Sequence, residues 1–367
     1  MQIPDLSPMR LLIFFTIISL SSSRMSNAQN ISAYSDYRGY LQAFDQGMFH
    51  QLEYLPVKSY KFGSSSVAYI DNKNDFKIYY KGEKFQMVNA ADFSYNVTDY
   101  LVAFRVGSVL YVFDNGVRKT LSYYTTIMTV NDSVLVYFDD SNYNLSIYYQ
   151  GKSAVLESSL LDKPKSIKTG TNTVAWVNQN NYFSIFYQGQ VHTVTNIPPL
   201  EYAAGQDIVA YTDDYDKHFH LFYKGDSAVV EEYAPDSFKV GYGIMAYVDN
   251  LGNFRVFNNG ATKRLLSDRP DYFLVKGNVV VYSYNRMFNV FYNGTVTTLE
   301  NFNPSNFQLG INGVAWLDES NRLKIFDRGK TYTASYDIIN KYDLTGNVLK
   351  YETGSNTVNI FFEGKNY

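Results

Sequence analysis

At 367 residues the chain is long enough for two average domains or for one large ring of repeats. Charged residues make up 18%, the net charge is −3, and 35 Tyr with 26 Phe bring aromatics to 17%, so core material is abundant and a disordered chain is excluded. There is no basic field to gather phosphates, which argues against nucleic acid or anionic lipid as partner, and with no Cys the fold has no disulfide framework.

The chain opens with Arg10, the apolar run Leu11 to Leu20, and then the small residues Ser26, Asn27 and Ala28. This is the arrangement of a secretory signal peptide. Residues 1–28 are therefore expected to be removed, leaving Gln29 first and residues 29–367 as the folded domain. The apolar run is roughly half of what spans a bilayer, so no membrane span is expected after cleavage. Asp5 is atypical of such a leader, and a signal anchor is the alternative. Export implies the periplasm or the medium.

From there on the chain repeats. One glycine recurs at Gly47, Gly82, Gly116, Gly151, Gly189, Gly225, Gly260, Gly294, Gly329 and Gly364. An aromatic stands three residues before each of them, from Phe44 and Tyr79 to Phe361, and an aliphatic residue stands four before. Alternation of this kind predicts a strand with both faces partly covered, running into a hairpin whose Asn115-Gly116, Asn259-Gly260 and Asn293-Gly294 pairs suit a two-residue turn. Replacement of a registered glycine should be costly, and replacement of Gly252, outside the column, should be milder.

Upstream of that strand lies another of the form Val-Ala-Tyr-x-Asp, as in Val67 to Asp71 and Val314 to Asp318. Its centre is aromatic in every copy: Tyr34, Tyr69, Phe104, Tyr137, Trp176, Tyr211, Tyr247, Tyr282, Trp316 and Tyr351. The preceding residue is Ala or Val except for Lys350 in the last copy. Large on one face and small on the other suits stacked sheets that interdigitate. A buried ring contributes roughly 4 to 6 kcal/mol as an upper bound, so the two aromatic columns read as core. A leading segment such as Ser237 to Gly241 and a trailing one such as Thr295 to Leu299 complete a unit of four short strands.

These units resemble TolB-type propeller repeats, which are Trp-Asp-repeat-like, in segments such as Met245-Ala-Tyr-Val-Asp-Asn-Leu-Gly-Asn-Phe-Arg-Val-Phe-Asn-Asn-Gly260, although the Ser-Pro-Asp-Gly turn of that family is missing. The resemblance implies an all-β propeller with one blade per repeat. The first unit lacks a leading strand and the last lacks most of a trailing one, offsets by which propellers share a blade between their ends. A single ring of nine or ten blades is the expected architecture. Two five-bladed rings, an open β-array and a β-solenoid are the alternatives.

Candidate sites are few. Asp213, Asp214, Asp216, His218 and His220 cluster in the sixth unit, where carboxylates and alternating imidazoles could take a metal. Asp213 and His220 occupy ordinary repeat positions, however, and a solvated hairpin with no metal is the simpler expectation. Asp36, Asp71, Asp139, Asp213, Asp249 and Asp318, with Asn178, recur at one position and read as turn-formers, not calcium ligands. Tyr37, Tyr123, Tyr124, Tyr182 and Tyr233 lie outside the core columns and are free to line a surface.

There is no Gly-x-Ser-x-Gly elbow, no His-Glu-x-x-His and no phosphate-binding loop, so no catalytic residue and no cofactor is assigned. The function expected is that of an exported binding or scaffold module for a protein or glycan partner. A carbohydrate-active hydrolase or lyase, with carboxylates converging on the central channel, is the alternative.

Overall fold

A computed structural model describes residues 30–89, 93–164, 166–354 and 357–367; the expected signal peptide, with its cleavage site, lies outside the described residues. Ten sheets follow one another along the chain, each built of consecutive antiparallel strands paired in sequence order. Blade 7 is representative, with strands Ser237–Val240, Ile244–Val248, Phe254–Asn258 and Ala261–Leu266. Among the described residues blade 1 has three strands, Ile31–Ser35, Leu41–Asp45 and Met48–Gln51, which correspond to strands 2 to 4 of the other blades, and blade 10 ends on the two-residue strand Lys365–Asn366.

The aromatic and small columns explain how blades stack. Because side chains alternate across a strand, Ala246 and Val256 of blade 7 point to one face and Tyr247 and Phe257 to the other. Ala246 and Val256 pack forward against Tyr282 and Phe291 of blade 8. Tyr247 and Phe257 pack back against Ile208, Ala210 and Leu221 of blade 6. The same exchange joins blade 1 to blade 2, where Tyr69 and Tyr79 lie on Ala33 and Ala43. Both tryptophans are buried in this column, whereas Tyr34 is half-buried.

Every registered glycine sits at positive φ, from 78° at Gly364 to 103° at Gly225, and so does the residue before it, from Gln46 (50°) to Glu363 (50°). Two successive left-handed residues define a type I′ turn, whose twist matches that of a hairpin. Gly252 is left-handed as well, at 86°, which corrects the expectation that it would be a tolerant position.

The ends meet. Asn347 donates to Asn30, the Lys350 ammonium donates to the Ala33 carbonyl at 3.0 Å, and Phe44 packs on Val348, Ile360 and Phe362. One closed ring of ten blades results, and neither two smaller rings nor an open array or solenoid is formed. Each blade is made from contiguous chain, so no blade is shared between the ends among the described residues. Among the described residues blade 1 has no leading strand, and the inner turns of blades 10 and 2 come together: a Cβ on Gly346 would lie 3.3 Å from the Ser64 Cβ. Lys350 occupies this seam, its ammonium 5.0 Å from the Phe62 ring centre.

Candidate binding face and axial cluster

Antiparallel order sorts the loops. Turns between strands 1 and 2 and between strands 3 and 4 of each blade emerge on one face; those between strands 2 and 3, and the connections between blades, emerge on the other. We call these the hairpin face and the connection face.

Of the 23 large apolar side chains that are exposed among the described residues, 14 lie in loops of the connection face. Nine are tyrosines, including Tyr37, Tyr54, Tyr123, Tyr124, Tyr215 and Tyr336, and five are Leu or Ile, including Leu161 and Ile338. Most of the rest, such as Val117 and Val229, are on the outer strands, and none is in a strand 1–2 turn or a glycine hairpin. All five tyrosines singled out in the sequence fall on the connection face, with exposures from 41% at Tyr182 to 88% at Tyr37. Scattered exposed apolar residues are ordinary; the gathering of all those in loops on one face is not.

The aspartate column shapes these loops. Asp249 Oδ1 accepts from the Leu251 and Asn253 amides at 3.0 and 2.8 Å, and Asp318 Oδ1 from Ser320 and Arg322 at 2.9 and 3.0 Å. Asp36, Asp71, Asp139, Asp213 and Asn178 accept in the same way. The column is thus a set of Asx-turns. Burial alone would raise the Asp249 carboxyl, but the Arg255 guanidinium at 2.7 Å and the Asn253 and Leu251 donors outweigh it and hold the group below its usual range.

Four glutamates at the ends of outer strands went unnoticed in the sequence. Glu53, Glu157, Glu231 and Glu300 each stand six residues after a registered glycine and accept from the column aromatic of the following blade. Tyr69 Oη donates to Glu53 at 3.0 Å, Tyr247 Oη to Glu231 at 2.7 Å and Trp316 Nε1 to Glu300 at 2.9 Å. Lys77 and Lys324 pair with Glu53 and Glu300, each at 2.9 Å. Their signal was a glutamate recurring six residues after the glycine, whose meaning shows only once neighbouring blades are stacked.

On the hairpin face the inner turns form a polar ring. Tyr242 N donates to the Gly277 carbonyl at 2.7 Å and Asn278 N to that of Ile311 at 2.8 Å. A side-chain ladder runs beside it from Asn278 through Asn312 and Asn347 to Asn30. Turns so close require glycine: a Cβ on Gly241 would lie 2.4 Å from the Gly277 oxygen.

The axis is bridged here. Tyr242 Oη of blade 7 donates to Asp132 Oδ2 of blade 4 at 2.7 Å, and Thr171 Oγ1 donates to the same oxygen at 2.7 Å. Asp99 Oδ1 accepts from Ser64 N at 2.8 Å. Burial and then the Asp132 carboxylate push the Asp99 carboxyl up, with Lys276 opposing. Asp99, Lys276, Gln308 and Asp343 line a cavity of 450 Å³. Three carboxylates, Asp99, Asp132 and Asp343, thus stand about the axis, with donors from the ring and Lys276 beside them, and the bonds of Asp132 and Asp99 join one blade to another.

The sixth-unit cluster divides. Asp213 forms its Asx-turn and Asp214 pairs with Lys217, whereas Asp216, His218 and His220 come together. No helix among the described residues is long and apolar enough to cross a membrane.

Residues 25–367 match the model of the 10-bladed beta propeller domain. No curated protein matches the chain. Solved structures similar to it include the computationally designed Ika8 protein, at 14% identity with 73% of this chain and 95% of that one covered and a TM-score of 0.34. The CRINKLY WD40 ectodomain of the Arabidopsis thaliana receptor kinase ACR4 is similar at 9% identity, with coverage of 65% and 94% and a TM-score of 0.32. Prp20p from Saccharomyces cerevisiae follows at 8% identity, with coverage of 58% and 77% and a TM-score of 0.30. At these scores the likenesses carry no argument about function.

Proposed function

The chain belongs to the family of 10-bladed β-propeller domains, and from that premise we propose that it is an exported binding module whose connection face receives a protein partner. The observation that carries this reading is the concentration on that face of the exposed large apolar side chains, with nine of the ten exposed tyrosines among them; Tyr367, at the end of the chain, is the exception among the described residues. Tyrosine combines a large apolar body with a polar tip and is enriched in protein interfaces. Leu161, Leu251 and Ile338 among the tyrosines favour a protein over a glycan, because an aliphatic side chain offers a sugar ring no π face to stack on. Export rests on Arg10, Leu11 to Leu20 and Ser26 to Ala28, and would place the partner at the cell envelope or outside it. The likeness of Met245 to Gly260 to TolB-type repeats is in keeping with such a module and names no partner.

The test is a comparison of faces. Immobilised protein is exposed to envelope and secreted proteins of its host and, in parallel, to a panel of polysaccharides. A variant with Tyr123, Tyr124, Tyr233 and Tyr336 changed to Ser should lose the retained protein, while one with Lys224 and Asn259 on the hairpin face changed to Ser should keep it. Retention unaffected by the tyrosine changes would overturn the reading, and retention of a polysaccharide instead, lost on the same changes, would replace the partner class.

A further inference from the structure

We propose that Asp216, His218 and His220 of blade 6 form a surface site for a zinc-class divalent transition ion. This departs from the expectation drawn from the sequence, which weighed a metal at Asp213, Asp214, Asp216, His218 and His220 and preferred a solvated hairpin without one. The geometry selects three of the five. Asp216 Oδ2 is 3.4 Å from His218 Nδ1 and 3.2 Å from His220 Nε2, and the three donor atoms all lie within 4.8 Å of one another. Ligands bound tetrahedrally at about 2.0–2.1 Å are separated by roughly 3.3 Å, so an ion can enter this triangle with small side-chain shifts.

The donors are also held in place before any ion arrives. His218 N donates to Asp216 Oδ1 at 2.8 Å, which orients the carboxylate and leaves Oδ2 toward both imidazoles. The His220 ring stacks on Tyr211 at 5.1 Å with an interplanar angle of 11°, and His218 stacks in turn on His220. The Asx-turn at Asp213 fixes the start of the loop. Two imidazole nitrogens with one carboxylate suit Zn²⁺, Cu²⁺ or Ni²⁺ and disfavour Ca²⁺, which takes oxygen. Three protein ligands leave a fourth position for water or for a donor from another molecule. The loop belongs to the connection face beside the exposed Tyr215, but the site stands on its own geometry whether or not that face binds a partner.

The experiment is calorimetric titration of the whole protein with Zn²⁺ alone near pH 7.5, paired with thermal melts with and without the ion. The chain has four histidines, so the other two, His50 and His192, supply the control. The wild type and a His50→Gln/His192→Gln variant should each bind one equivalent with the same affinity and melt higher in Zn²⁺. His218→Gln/His220→Gln should lose stoichiometric binding and the thermal gain, and Asp216→Asn should weaken binding at least tenfold, while melts without metal show these variants folded. No stoichiometric binding to the wild type, or binding that survives His218→Gln/His220→Gln, would overturn the proposal.

Discussion

Replacing Gly260 by Val isolates the backbone requirement of the repeat. Gly260 sits at φ 83° after Asn259 at 52°, is exposed, and a Cβ added to it would meet nothing within 4 Å. The Cβ therefore meets open space; what remains is a β-branched residue held in the left-handed region, at roughly 1 to 3 kcal/mol. With an unfolding entropy of about 2.1 cal/mol/K per residue over the ~340 folded residues, that loss corresponds to about 1.5 to 4 °C in Tm. Ala261→Val is the control, since Ala261 opens the next strand, is exposed and has no positive φ. Gly241→Ala separates torsion from sterics: Gly241 is not left-handed, yet its new Cβ would press on the Gly277 carbonyl that accepts from Tyr242 N. It should cost at least as much despite the smaller side chain. Calorimetric melts and urea titrations at 25 °C read all three. Equal midpoints for Gly260→Val and Ala261→Val would refute the assignment of the column to type I′ turns.

Asp249→Ala should cost about 2 kcal/mol in urea, because two loop amides and Arg255 lose their acceptor, while Asp249→Asn should cost less, as Asn178 fills the same role in blade 5. Stability should fall as pH is lowered. Burial raises the carboxyls of Asp71, Asp249 and Asp318, but their ammonium, guanidinium and amide partners prevail and hold them below the ordinary value. Such groups add stability that is complete above the unfolded value, near 4, and is lost as pH drops through the folded one. Asp99, pushed up by burial and by Asp132, acts in the opposite direction, so a urea midpoint that rises steadily from pH 6 to pH 3 would show that the axial carboxylates dominate. N-terminal mass spectrometry of protein made in a Gram-negative host should find Gln29 first, and a chain still beginning at Met1 would refute export by cleavage.

Local chemistry is what could be read from the residues in order. A glycine that must be left-handed, an aromatic that must be buried and an aspartate that caps its own turn each depend on neighbours within a few positions, and ten repetitions made them unmistakable. The blade, its strand order and the Asx role of Asp249 and Asp318 were therefore legible before any coordinates. Contacts between repeats were not, because they join residues from 16 to 317 positions apart whose pairing exists only when blades stack or the ring closes. Glu231 finds Tyr247 across a blade boundary, Tyr242 finds Asp132 across 110 residues, and Lys350 breaks the alanine column where blade 10 meets blade 1 and its ammonium reaches the Ala33 carbonyl. The recurrence of exposed tyrosines in certain loops also had no meaning along the chain. Only the up-and-down course of four antiparallel strands brings loops 2–3 and the connections between blades to one face, and it is the curvature of the stacked sheets that makes ten such loops a single surface.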